Sequence, residues 1–311
     1  MSTSKMHIDE VDTDVSLVAR LLITQFPQWA NLPIEPVHSA GTGNALYRLG
    51  HDMVVRLPRI PSAVGQVDKE QEWLPRLAPL LPLNIPVPLA KGKPSEGYPW
   101  HWSVYRWLEG EDATTAPITD PRQAATDLAQ FITVLQGVEA TGGPPPGQHN
   151  FYRGVPLAMR DQQTRDAIAA LHDVIDTDEV TAVWDAAIET PAWNGAPTWV
   201  HGDLHAGNLL VQQGRLTGVI DFGGLGVGDP ACDVMAAWVF LSSENRAIFR
   251  AVLQVDDTTW ARGRGWALSF GLIALPYYQA TNPVLAGIAQ RAINETLTDY
   301  KEGVFSRLDP A

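Results

Sequence analysis

The stretch Val200-His201-Gly202-Asp203-Leu204-His205-Ala206-Gly207-Asn208, followed a little later by Val219-Ile220-Asp221-Phe222-Gly223, decides how the rest of this 311-residue chain is read. Asp203 and Asn208 are five positions apart, and Asp203 and Asp221 eighteen. Short apolar runs around them, Trp199–Val200, Asn208–Val211 and Leu216–Ile220, read as strands, with Gln212-Gln213-Gly214 as a bend. Such a hairpin carries Asn208 and Asp221 to the same end. A carboxylate and an amide oxygen held together suit Mg²⁺, a hard cation that takes oxygen ligands. A further carboxylate beside them, Asp203, can orient an incoming hydroxyl and accept its proton.

Protein kinases carry a catalytic-loop Asp, an Asn five residues on, and then an Asp-Phe-Gly. Both spacings hold here, and the Asp-Phe-Gly is literal. Gly202 stands where protein kinases commonly have Arg, and no Ala-Pro-Glu follows the Asp-Phe-Gly. With His201-Gly202-Asp203, His205, Asn208 and Ile220-Asp221-Phe222-Gly223, the chain resembles the aminoglycoside phosphotransferase family, whose relatives include macrolide, choline and fructosamine kinases. The resemblance runs over nearly the whole chain. It implies an α+β, protein-kinase-like two-lobe fold: a strand-rich, nucleotide-binding N-lobe over residues 1–107 and a larger helical C-lobe over 108–311 that carries catalysis and the substrate. It implies ATP or GTP as co-substrate with Mg²⁺, Asp203 as the catalytic residue, and Asn208 and Asp221 as metal ligands.

Further site residues follow from the same resemblance. Gly41-Thr42-Gly43-Asn44 resembles the loop that covers the nucleotide, where glycines let backbone amides approach phosphate; its third glycine position holds Leu46. In Val54-Val55-Arg56-Leu57, Arg56 stands where relatives carry a phosphate-binding lysine, and a guanidinium can bind phosphate in bidentate fashion. Its helix partner is expected to be Glu70, with Glu72 the competitor. Ser103–Gly110 resembles the hinge between lobes, with Tyr105 as gatekeeper and the backbone of Arg106 and Leu108 meeting the base. Asp229-Pro230 reads as a helix N-cap with Pro at the first helical position, and Asp233 as a brace for the catalytic loop. His205 reads as a further brace, and Cys232 as a buried small hydrophobe. Trp238 or Trp266 could line a substrate groove. Glu295, Asp299 and Glu302 lie at helical spacing, either on a solvated face or meeting an amine.

The remaining pattern fits this frame. Helices are expected over Asp9–Phe26, Val67–Leu80 (interrupted by Pro75), Ala124–Val138, Arg160–Ile175, Val180–Ile188, Thr258–Ala280 and Val284–Phe305. Strands are expected at Ile34–Val37, Ala45–Leu49, Met53–Leu57, Ile85–Ala90 and His101–Trp107. The formal charge of −13 argues against nucleic acid or an anionic membrane as partner and is compatible with a cationic small-molecule substrate. One cysteine excludes an intramolecular disulfide and a cysteine-based zinc site. The polar N-terminus and the lack of a long apolar run suggest a cytoplasmic protein, monomer or homodimer. An aminoglycoside-type antibiotic is the expected acceptor, with a macrolide or another metabolite alcohol as the alternative. A non-catalytic nucleotide-binding pseudokinase is the reading of a different class; it would be expected to lack Asp203, Asn208 or Asp221.

Overall fold

A five-stranded antiparallel sheet forms the first part of the computed structural model, which describes residues 10–37, 41 and 43–308. Its strands are β1 (Ile34–Val37), β2 (Asn44–Leu49), β3 (Met53–Pro58), β4 (Pro88–Gly92) and β5 (Trp102–Arg106), in the order β1-β2-β3-β5-β4. β2 and β3 pair from Asn44↔Pro58 to Leu49↔Met53, with Gly50 at φ +60° in the loop between them. Helix α1 (Val15–Gln25) buries Leu17, Val18, Leu21 and Leu22 in one cluster with Leu49, Val55, Leu57, Trp102 and Val104 of the sheet. Asp14 caps α1 by accepting from the Leu17 N–H at 2.7 Å. The helix starts later than the expected Asp9, because residues 10–14 are not helical and Asp14 takes the cap; Asp9 itself lies outside the described residues.

Helix α2 (Pro61–Leu77) begins six residues before the expected Val67, because Pro61 is pre-set for the first helical turn and needs no N–H there. Trp73, Leu74 and Leu77 of α2 belong to the larger core of the C-terminal part, so this helix ties the two parts together. The fourth strand is shifted from Ile85–Ala90 to Pro88–Gly92; Pro86 and Pro88 have no N–H for the ladder, and the register slips between Pro88 and Ala90.

A two-residue strand β6 (Glu111–Asp112) follows the sheet, and then helices α3 (Pro121–Gly137), α4 (Asp161–Ala170) and α5 (Thr177–Ile188). Strand β7 (Thr198–Val200) leads into the catalytic-loop segment. β8 (Leu209–Gln212) and β9 (Arg215–Val219) form the expected hairpin, turning at Gln213 and Gly214, both left-handed at φ +52° and +78°. β10 (Gly226–Gly228) pairs back onto β7. Short helices α6 (Ala231–Val234) and α7 (Ala236–Val239) come next, then α8 (Ser243–Leu253), α9 (Asp257–Tyr278) and α10 (Pro283–Leu308). The sequence reading assigned no helix to Ser243–Leu253, although Ile248, Phe249, Val252 and Leu253 share helical spacing. The core beneath the hairpin is built from α3, α6, α7, α9 and α10 and includes Trp184, Trp199, Trp238 and Trp266. No helix among the described residues is long and apolar enough to cross a membrane.

Candidate active site

The strand-to-loop junction after β7 places His201, Gly202 and Asp203. Gly202 sits at φ +82°, a backbone state that a residue with Cβ enters only at a cost. A Cβ there would lie 2.8 Å from Arg153 Cβ and 2.9 Å from the Gly224 carbonyl oxygen. Gly202 is therefore required by the packing of this loop, and the larger residue of protein kinases has no room.

Asp233 holds the same turn from below. Its carboxylate accepts from the His201 N–H and the Gly202 N–H, both at 2.7 Å. It is fully buried, and burial pushes its pKa up to about 6. His201 is buried beside it, its ring edge-on to Phe222 at 4.6 Å. Nδ1 accepts from the Asp203 N–H (3.2 Å), so Nε2 carries the proton and donates to the Ile220 carbonyl (3.1 Å). Burial lowers the pKa of this imidazole to about 4, which keeps the ring neutral and the tautomer fixed.

Asp203 is 29% exposed at the floor of a cleft of about 1650 Å³. Its Oδ2 accepts from Asn208 Nδ2 at 3.2 Å and lies 3.5 Å from His205 Nε2; its Oδ1 lies 3.4 Å from Arg153 Nη2. Burial alone would raise its pKa, but His205, Arg153 and His201 outweigh that and hold it below the usual carboxylate range. Asn208 Nδ2 also donates to the Asp203 carbonyl (2.9 Å), which leaves Oδ1 as the free end of that amide. The Ile220 N–H donates to the Asn208 carbonyl at 2.9 Å, so the hairpin does bring Asn208 and Asp221 side by side. Asp221 adopts φ +60°, and its Oδ1 meets the Gly223 N–H and Arg56.

A metal can be tested against this donor set. Among the described residues no group of three or more His, Cys, Asp or Glu is arranged to hold a metal. The pair Asn208 Oδ1 and Asp221 fits Mg²⁺ in a different way: it offers two hard oxygens and leaves the other positions for water and phosphate, as Mg²⁺ prefers.

Across the cleft, Arg56 Nη1 bonds both oxygens of Glu70 at 2.7 Å. Nη2 reaches Gln66 Oε1 and Asp221 Oδ1, each at 3.1 Å. With its amide oxygen inward, Asn44 accepts from Nε and Nη2 at 3.2 and 2.9 Å. Glu70 is 1% exposed and accepts a short bond from the Tyr105 hydroxyl. Burial would lower the Arg56 pKa; Glu70 and Asp221 reverse this and raise it. Glu72 points elsewhere, to Arg76 at 3.6 Å. Gly41, Gly43, Tyr105, Arg106 and Leu108 line the same cleft. The Arg106 N–H is engaged by the Val87 carbonyl (2.9 Å), so only its carbonyl can serve a base edge. Thr42 lies outside the described residues.

Other sequence readings are corrected. Trp238 and Trp266 are wholly buried and line no groove. Asp229 caps one residue early, accepting from the Ala231 N–H (2.9 Å) with Pro230 as the N-cap of α6, because its carboxylate is also drawn to Arg262 (Nε–Oδ2 2.8 Å). Glu295 and Asp299 pair with Arg246 (2.6 Å) and Arg264 (3.3 Å). The reading of Cys232 holds: it is buried, and burial raises its pKa to about 12.

Three cations went unread in the sequence. Lys69 is buried next to Glu70, and its Nζ donates to the carbonyls of Gly223 (2.7 Å) and Leu225 (3.0 Å), tying α2 to the Asp-Phe-Gly segment. Arg153 lies against Asp203, and Arg160 sits deeper in the same wall. Only the Lys-Glu dipeptide hinted at the first; no local pattern marks the other two.

This architecture and this constellation are those of a kinase-like phosphotransferase. Residues 35–266 match the phosphotransferase enzyme family, and the chain belongs to it. It is 25% identical to the viomycin phosphotransferase of Streptomyces vinaceus over 197 residues, 60% of this chain and 67% of that one. Among solved structures, the GDP and kanamycin complex of the aminoglycoside phosphotransferase APH(2")-IIIa superposes with a TM-score of 0.70 at 21% identity, covering 91% of this chain and 98% of that one. The macrolide 2'-phosphotransferase MphH of Brachybacterium faecium does so at 0.59 and 21%, covering 90% and 98%.

Proposed function

We propose that this enzyme transfers the γ-phosphoryl group of ATP or GTP, with Mg²⁺, to a hydroxyl of a small molecule bound against Asp203. The observation that carries it is the Asp203–Asn208–Asp221 cluster at one end of the β8–β9 hairpin, beside the Arg56–Glu70 pair in a single cleft. Residues 1–107 would act as the nucleotide-binding lobe and 108–311 as the catalytic one. Gly41, Thr42, Gly43 and Asn44 would cover the phosphates, Arg56 held by Glu70 would bind them, and the Arg106 carbonyl and the Leu108 backbone would meet the base.

The acceptor oxygen forms a bond to the γ-phosphorus while the bond to the β-phosphate oxygen breaks, and ADP or GDP leaves. The acceptor proton passes to Asp203. Held below the ordinary carboxylate range, Asp203 is a weak base, so it orients the hydroxyl first and takes the proton late, as suits a loose transition state. Asn208 keeps Asp203 in place through two bonds from one amide nitrogen. Bound Mg²⁺ would neutralise charge on the phosphates. Asn208 Oδ1 and Asp221 would hold that ion.

The acceptor wall, from Arg153 and Arg160 to Phe270, Ile273 and Leu285, is apolar and cationic. Apart from Asp203 and Asp221, the carboxylates lining the cleft are Glu111 and Asp112, on β6 after the hinge. This favours an acceptor with an extended apolar face, as in a macrolide, over the polycationic aminoglycoside suggested by net charge. The test is ADP and GDP release with Mg²⁺ across aminoglycosides, macrolides and hydroxy acids. Asp203→Ala should lower turnover at least 10³-fold with folding intact; near-normal turnover in that variant sinks the assignment.

A further inference from the structure

Arg160 ends a short 3₁₀ turn, Leu157–Arg160, just before α4, and its side chain enters the wall of the cleft. The residue is only 7% exposed. One edge of the guanidinium is fixed: Nε donates to Ser269 Oγ at 2.9 Å. Ser269 is 2.8 Å from Thr164 Oγ1, which donates back to the Arg160 carbonyl at 2.9 Å. The guanidinium carbon lies 4.8 Å over the ring of Trp266. Among the described residues, the Nε bond is the one hydrogen bond of this guanidinium and no carboxylate pairs with it. Burial, with the neighbouring charge of Arg153, lowers its pKa to about 10.

A buried guanidinium without a counter-ion is costly, and its fixed fork of N–H groups matches a carboxylate. Arg153 reaches Asp203 through Nη2 at 3.4 Å and keeps its buried Nη1 without a partner, so a second cationic N–H lies near the Arg160 fork. Phe270, next to Ser269 on α9, has Arg153 over its ring at 5.6 Å and His205 stacked on it at 6.3 Å. The unpaired fork is therefore on the α9 side of Asp203, away from Arg56, with Ile273, Ala274, Val284 and Leu285 lining the cleft on the same side.

We infer that the acceptor of this phosphotransferase is a hydroxylated apolar carboxylic acid, whose carboxylate is received by the Nη1–Nη2 edge of Arg160 while its hydroxyl faces Asp203. The inference rests on the phosphotransferase reading for the hydroxyl and on Arg160 for the acid.

The test compares carboxylates with their neutral amides: 3-phenylpropionate and 4-phenylbutyrate against 3-phenylpropionamide and 4-phenylbutyramide. Binding is followed by ligand-observed NMR on the full chain, alone and saturated with the β,γ-imido analogue of ATP and Mg²⁺. The carboxylates should bind at least tenfold tighter than the amides, the preference should vanish in Arg160→Met, and Arg160→Lys should restore part of it. Equal binding of acid and amide, or no binding of either, overturns the inference. So does a preference that survives in Arg160→Met. If Arg160 instead neutralises the γ-phosphate, Arg160→Met weakens the imido analogue more than ADP and leaves the acid-to-amide ratio unchanged, which also overturns it. Failure of the phosphotransferase reading shows separately, as absence of ADP binding, and the nucleotide-free comparison then still decides the role of Arg160.

Discussion

Replacing Gly202 with alanine perturbs the catalytic loop at the point where its backbone is least tolerant. Two costs add. A residue with Cβ in the left-handed region is destabilised by about 1–2 kcal/mol. The new methyl would lie 2.8 and 2.9 Å from Cβ and Cγ of Arg153 and 2.9 Å from the Gly224 carbonyl oxygen. Arg153 can shift; the Gly224 carbonyl lies between the carbonyls of Gly223 and Leu225, both held by Lys69, so the overpacking costs about 1–3 kcal/mol. The total is about 3 kcal/mol, which for a chain of this size lowers Tm by about 6 °C. Activity should fall further than stability, because the residue that yields, Arg153, lies 3.4 Å from Asp203 Oδ1. The assay is thermal unfolding by tryptophan fluorescence, with nucleotide turnover measured well below Tm. A Tm within about 1 °C of wild type would refute the claim that the loop needs glycine here.

Two predictions concern buried charge. Arg262→Met leaves Asp229 buried and unpaired, since the pair is only 2–3% exposed, and should cost about 3–5 kcal/mol by chemical denaturation, with Asp229→Asn added to it recovering part of the loss; additive effects would show that the two residues are not coupled. Lys69 titrates near 8 in the fold, lowered by burial from its ordinary 10.5. Between those values the unfolded chain holds the proton and the fold does not, so stability should rise with pH from about 8 to 10, by about 3 kcal/mol. Lys69→Met should remove that rise; an identical pH profile in the variant would refute it.

What was legible in the sequence is what a local pattern must encode. The hairpin that pairs Asn208 with Asp221 is written in two apolar runs and a Gln213-Gly214 bend, and the long helices in their 3.6-residue period. Glu70 could be preferred over Glu72 as the partner of Arg56 because helix spacing alone decides which face meets the sheet. Other features depend on three-dimensional neighbours and leave no local trace. Arg262 meets Asp229 from 33 residues away, and Ser269 fixes Arg160 from 109. Net charge says little about the acceptor for the same reason. The acidic total of −13 belongs to the whole surface, while the acceptor wall holds two arginines and an apolar helix face. Late acidic residues that could have met an amine are already paired with Arg246 and Arg264. A substrate senses the few groups that line its cleft at short range, because charges beyond about 10 Å are screened at ordinary salt. Under the proposed function, the charge of the acceptor is therefore to be read from Arg160 and Asp203 rather than from composition.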